Sequence, residues 1–382
     1  MGIPAQLGAA AIATVRPGDG KSTTARTLRL LRGWSLVLTV AVLAGSVAAF
    51  AGVRSAIDTM RGRTTPAIIS SASVYEALVH ANTSAVTAFA LGPGQLSGAG
   101  DFYQAQIGVA SQNLAQVAEH NVAGSASRRE LQLVQGLLVS YTSWMSQAEL
   151  RFRTGDDSMA GATDVWYAAQ LLHDADGILP HLSQLRAAQL DELDDQLARD
   201  WMHPGASAIW LIPVAALAVL LCAAQVYHHR RFRRRLNPHL LAATGLLIAV
   251  AALPALTIPA QARAHHGANE LREEITIWQQ RAHTAAAADR RAVAVLVTGH
   301  CQPDGCGDSV AEFAASPTGS AVPRGTADDQ LAGTGADVTA GFDRAALPQA
   351  VLWLIVAGAG GIAVLIITGF QRRITEYQGH PS

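Results

Sequence analysis

Four uncharged apolar runs set the first limit on what this chain can fold into: Trp34 to Val53, Ser207 to Tyr227, His239 to Ala260 and Pro348 to Phe370. A helix rises about 1.5 Å per residue, so each run is long enough to cross about 30 Å of hydrocarbon. None holds an ionisable side chain in its apolar centre. Trp34, Trp210, Tyr227, Trp353 and Phe370 fall near the ends, where aromatic rings settle at headgroup level.

Charge orients these runs. The formal net charge is only −1, yet the short connector His228-His229-Arg230-Arg231-Phe232-Arg233-Arg234-Arg235 contains no acid. Short loops rich in Lys and Arg stay on the cytoplasmic side, which places this basic patch of Arg230, Arg231, Arg233, Arg234 and Arg235 inside, facing anionic lipid headgroups. The connector and the two tails together hold 12 basic and 2 acidic residues. Arg54 to His203 holds 9 basic and 16 acidic residues, and Gln261 to Arg344 holds 7 and 11.

The expected plan is therefore a multi-pass cell-membrane protein with both termini cytoplasmic. It has a basic tail at 1–33, spans at 34–53, 207–227, 239–260 and 348–370, outer segments at 54–206 and 261–347, an Arg-rich loop at 228–238 and a tail at 371–382. A cleaved secretory signal is the rival reading of the first run, because Ala49-Phe50-Ala51 follows an apolar core. The length of that run and of the tail before it favours an uncleaved anchor. Small residues recur every four positions in the first span (Ala41, Gly45, Ala49) and the fourth (Ala357, Gly361), a spacing that lets helices approach closely in lipid. Pro213 and Pro254 are expected to kink the second and third spans. Lys21 is the only lysine in an Arg- and Ala-rich chain, as in proteins of GC-rich bacteria.

The first outer segment is long enough for a core of its own. Leu131, Val134, Leu138, Tyr141, Met145, Ala148 and Phe152 follow a 3/4 spacing, as do Tyr103, Ile107, Ala110, Leu114 and Val117. An earlier seam carries Tyr75, Leu78, Asn82, Ala85 and Phe89, and a last one Leu172, Leu179, Leu182, Leu190, Leu193 and Leu197. Four such pieces, separated at Gly92, Gly124 and Gly155, predict a four-helix bundle. Pro180, following Gly177, is expected to kink or split the last piece. The fold class is thus an all-α membrane protein with an extracytoplasmic four-helix bundle and a smaller helical second outer segment.

That second segment is helical from Gln261 to Val297, with Leu271, Ile275, Trp278, Val293 and Val297 as its apolar positions. Cys301 and Cys306 flank Gln302-Pro303-Asp304-Gly305, and a turn there in an oxidising compartment predicts a disulfide. A metal site is the sharper alternative, but only His300 stands beside the two thiols. A short helix is expected around Val310 to Ala315, and Ser316 to Gly341 reads as loop, so the segment leans on the bundle or on a partner.

Other motifs carry little. Gly18-Asp19-Gly20-Lys21-Ser22-Thr23 lacks the leading glycine of a phosphate-binding loop, where Val15 stands. Asp191, Glu192, Asp194 and Asp195 fall on several sides of one helix and read as a solvated face. The inner pieces are too short for a catalytic domain, and spans without ionisable groups disfavour a carrier. The expectation is no enzyme activity, no catalytic residues, no cofactor, no metal and no nucleic-acid partner, with a homo-oligomer left open.

This layout of two outer segments on four spans, the first a long helical bundle, resembles the GlnX-type integral membrane proteins of Actinobacteria. The bundle alone is similar to the four-helix-bundle sensor domain of chemoreceptors, although no long cytoplasmic signalling hairpin follows Tyr227. The resemblance implies a relay. A solute-binding lipoprotein outside, loaded with an amino acid such as glutamate or aspartate, docks on the bundle, and the signal reaches a cytoplasmic serine/threonine kinase of the protein kinase G type. The alternatives are a structural accessory of a cell-envelope or export complex, and direct small-molecule sensing with Asn82, Tyr141 or Trp144 as pocket groups.

Overall fold

The computed structural model describes residues 22–92, 96–154, 158–198, 207–232, 238–300, 310, 312–313, 340, 343 and 348–378. Among these residues the secondary structure consists of helices joined by short turns, without strands. The chain divides into two units, one of residues 1–53, 204–259 and 347–382, the other of 54–203 and 260–346.

The first unit is built from apolar helices. The helix α1 (Ser22–Thr59), α7 (Ser207–Phe232), α8 (Pro238–Ala255) and α10 (Ala350–Gln378) supply it. Val42, Leu217, Leu221, Ala224, Ala243, Leu247, Val250, Ile362 and Ile366 form its buried cluster. The polar pair within it is satisfied: Gln225 Nε2 donates to Thr244 Oγ1 at 3.0 Å. Three helical runs, Arg29–Leu91, Leu241–His300 and Ala350–Gly369, contain stretches long and apolar enough to cross a membrane, and the apolar helix Trp210–Val226 is shorter. Pro254 lies at the end of α8, and the next helix starts at Thr257, so the third apolar run is broken rather than kinked. Thr257 Oγ1 donates to the Pro254 carbonyl at 2.6 Å and uses an acceptor that the broken helix leaves open.

Small residues do mark a close helix contact, at partly different positions from those expected. A Cβ on Gly358 would overlap Val250 Cγ2, and one on Gly361 would meet Leu246 Cδ2 at 3.0 Å. Gly358 and Gly361 therefore face α8, whereas Ala357 is exposed. The packed stripe follows Val351, Ile355, Ala359, Ile362 and Ile366, a 3/4 pattern that Ala357 does not share.

The second unit holds the first outer segment as five helices. A π-helical turn, Met60–Thr64, leads into α2 (Thr65–Leu91), followed by α3 (Leu96–His120), α4 (Gly124–Thr154), α5 (Ser158–His173) and α6 (Ile178–Ala198). The seven seam residues of α4 from Leu131 to Phe152 are all buried, as are Tyr75, Leu78, Asn82, Ala85 and Phe89 of α2. Glycines close the turns where expected: Gly92 (φ 91°) follows α2, and Gly124 (φ 83°) opens α4. The last expected helix is two, divided at Asp174–Gly177. There Gly177 N–H donates to the Asp174 carbonyl at 2.8 Å, and a Cβ on Gly177 would lie 2.8 Å from the Leu171 carbonyl oxygen. The break precedes Pro180, so the glycine turn rather than the proline ring ends the helix.

The helix α9 (Thr257–His300) carries the second outer segment onto this core. Leu271, Ile275, Trp278, Val293 and Val297 are all buried. Val310 is buried too, and Phe313 packs edge-on against Trp166 at 4.9 Å and against His173 at 6.0 Å.

Candidate functional site

The core of the second unit is polar at two places along the pairing of α2 with α9. The first is centred on Asp289 of α9, which is 1% exposed. Its Oδ2 accepts from Asn82 Nδ2 at 2.8 Å and from His173 Nε2 at 2.8 Å, and its Oδ1 accepts from Thr83 Oγ1 at 2.7 Å. A carboxylate only accepts, so the shared proton belongs to Nε2. Tyr141 Oη donates to Asn82 Oδ1 at 3.1 Å. Asn82 therefore turns its carbonyl to the phenol and its amide to the acid. Three donors on one buried carboxylate satisfy a group that would otherwise be costly to bury. Side chains from α2 and α5 meet at that single anion of α9, and Tyr141 of α4 joins them through Asn82.

The second place lies two turns earlier on α2. Trp278 of α9 donates from Nε1 to Glu76 Oε2 at 3.4 Å and meets Tyr75 edge-on at 5.5 Å. The guanidinium of Arg186 lies over the Trp278 ring, 4.5 Å from its centroid. Arg186 is 2% exposed, and Gln189, one turn on, is 0% exposed. Nε and Nη1 of Arg186 and both amide atoms of Gln189 find no hydrogen-bond partner among the described residues. A buried cation without an acceptor costs several kcal/mol, and a ring face offsets about 2 of them. Burial lowers the Arg186 pKa to about 10, with Tyr75 opposing in part.

A cavity of about 20 Å³, the room of one water molecule, lies among Ala85, Phe89, Tyr103, Met145 and Glu149. Among the described residues the Tyr103 hydroxyl, buried there, has no partner. Burial raises its pKa, and the Glu149 carboxylate adds to the shift. Burial likewise holds the Tyr141 phenol well above its ordinary range, with Tyr103 and Asp289 adding.

Of the residues singled out by sequence, Asn82 and Tyr141 join the Asp289 network, while Trp144 packs against Tyr167 at 5.1 Å instead. Asp191, Asp194 and Asp195 are exposed, and Asp194 pairs with Arg272. Cys301 and Cys306 lie outside the described residues, as do Arg233, Arg234 and Arg235; Arg230 and Arg231 fall within α7, at its end. Among the described residues no His, Cys, Asp and Glu are grouped to hold a metal ion. Sequence reasoning passed over Asp289, His173 and Arg186. Arg186 had a signal: with Leu182, Gln189 and Leu193 it keeps the 3/4 spacing of the apolar face of α6.

No curated protein and no solved structure matches the chain. Residues 56–198 match the family described as an actinobacterial sensor domain, and this segment, with helices apolar enough to cross a membrane, supports an actinobacterial membrane protein of sensing or signalling function.

Proposed function

We propose that the chain is a non-enzymatic transmembrane relay. An amino-acid-binding lipoprotein docks on the outer helices, and the response reaches a cytoplasmic serine/threonine kinase through the basic connector and tails. The observation that carries the reading is the sensor-domain match over residues 56–198, preceded and followed in the chain by apolar helices.

The Asp289 network adds support for the topology. Asn82 and Asp289 share a hydrogen bond across 207 residues of chain, which supports placing both outer segments on one side of the bilayer. That placement requires an even number of crossings between them, which suits α7 and α8 as a pair of spans around the arginine connector. Relay requires two helix arrangements to which the docked partner binds with different affinity. A segment pinned to the sensor helices by buried hydrogen bonds gives such a rearrangement a discrete element to break.

The test is affinity capture of the full chain, solubilised in detergent from its own membrane. Recovery of a solute-binding lipoprotein or a serine/threonine kinase is expected. Repeated recovery of neither, with wall-synthesis or export components instead, overturns the relay in favour of the accessory role.

A further inference from the structure

We infer that the Arg186–Gln189 face of α6, roofed by Trp278, is a binding site for a small carboxylate. Among the described residues, the buried Arg186 has no acceptor for Nε or Nη1, and Gln189, on the same helix face, offers an unpaired donor and an unpaired acceptor. The guanidinium carbon lies over the face of the Trp278 ring, a contact that attracts the charge but supplies no hydrogen-bond acceptor in the guanidinium plane. It leaves the in-plane N–H groups of Nε and Nη1 needing acceptors; each forms a fork with Nη2, and the two planar oxygens of a carboxylate match either fork. Trp278 therefore does not have to leave for the ligand to bind.

Charge and surroundings select the class. One guanidinium neutralises one negative charge, and the Glu76 carboxylate on the edge of Trp278 opposes a dianion such as phosphate. Leu182, Leu185 and Leu193, all buried on the same helix, offer apolar contact to a short hydrocarbon body. Gln189 supplies a second polar contact, its amide donating to the carboxylate or its carbonyl accepting from a ligand hydroxyl or ammonium group. The site stands apart from the relay: it is a ligand site of the helices themselves, and its failure leaves the docking of a lipoprotein untouched.

The full chain, purified in lipid nanodiscs, is melted with sodium acetate, propionate or butyrate, against sodium phosphate and sodium chloride at equal ionic strength. At concentrations about 100-fold above half-saturation, at least one carboxylate is expected to raise Tm by about 5 °C, and phosphate and chloride are not. Arg186→Met keeps the volume and removes the buried charge, a replacement that buried ion sites tolerate; it should weaken carboxylate binding about 100-fold. Gln189→Ala should weaken it about 10-fold. A carboxylate-dependent change in tryptophan emission should vanish in Trp278→Phe. Equal response to phosphate, no response to any carboxylate, or an unchanged response in Gln189→Ala and Arg186→Met overturns the site. If Arg186→Met folds poorly, the comparison of carboxylate with phosphate and the Gln189→Ala and Trp278→Phe variants decide it.

Discussion

At the scale of single residues, Asp289 carries more of the second unit than any residue the sequence made conspicuous. Asp289→Ala leaves the buried His173 and Asn82 and the half-buried Thr83 with their donors unpaired. The expected loss is about 3 kcal/mol, read as a fall in Tm of about 8 °C in thermal melting of the full chain. Tyr141→Phe removes one donor at the end of the same network and should cost about 1 kcal/mol. That variant also tests the alkaline limb of stability. The Tyr141 pKa is raised above 10.0 by burial first, so the folded state holds the phenolic proton more tightly than the unfolded chain. This contribution is complete below pH 10 and is lost as pH rises through the folded value. Arg186 runs the other way: with its pKa lowered from 12.5 to about 10, its burial penalty is relieved between those values as pH rises. Chemical denaturation above pH 10 should show a shallower decline for Tyr141→Phe than for the unaltered chain; equal slopes would rule the phenol out as a cause.

At the scale of elements, periodicity made the helices of the sensor segment readable and left their joints uncertain. The seam from Leu131 to Phe152 is buried at every expected position, because burial of one face of a helix repeats every three or four residues. The division of the last piece into α5 and α6 turned on Gly177, whose role depends on carbonyls of Leu171 and Asp174 folding back onto it. Such closeness is a property of the turn, not of spacing. Two glycines give opposite predictions here. Gly177→Ala drives a Cβ into backbone oxygen and should destabilise by about 2 kcal/mol. Gly136→Ala, exposed within α4 with nothing inside 4 Å of its Cβ, should stabilise by up to about 1 kcal/mol. Urea titration of both variants compares them directly, and a gain in both would remove the steric account of the turn.

At the scale of the molecule, local pattern could not announce the partners that hold the second outer segment in place. Asn82 stood out as a polar residue in an apolar seam, but its partner Asp289 lies 207 positions on, and nothing in the spacing of a helix points across such a distance. Trp278 and Glu76 are 202 apart in the same way. These long-range pairs give the topology a sharp test. Because Asn82 and Asp289 touch, alkaline phosphatase fused after Thr154 and after Gly299 must report the same compartment, whichever compartment that is. The proposed orientation adds that both fusions are active and that a fusion after Arg235 is not, since guanidinium groups hold a short loop on the cytoplasmic face. Disagreement between the two outer fusions would contradict the hydrogen-bonded core itself. Agreement with both silent, and the Arg235 fusion active, would keep the core and invert the relay, placing the sensor helices where no exported lipoprotein can reach them.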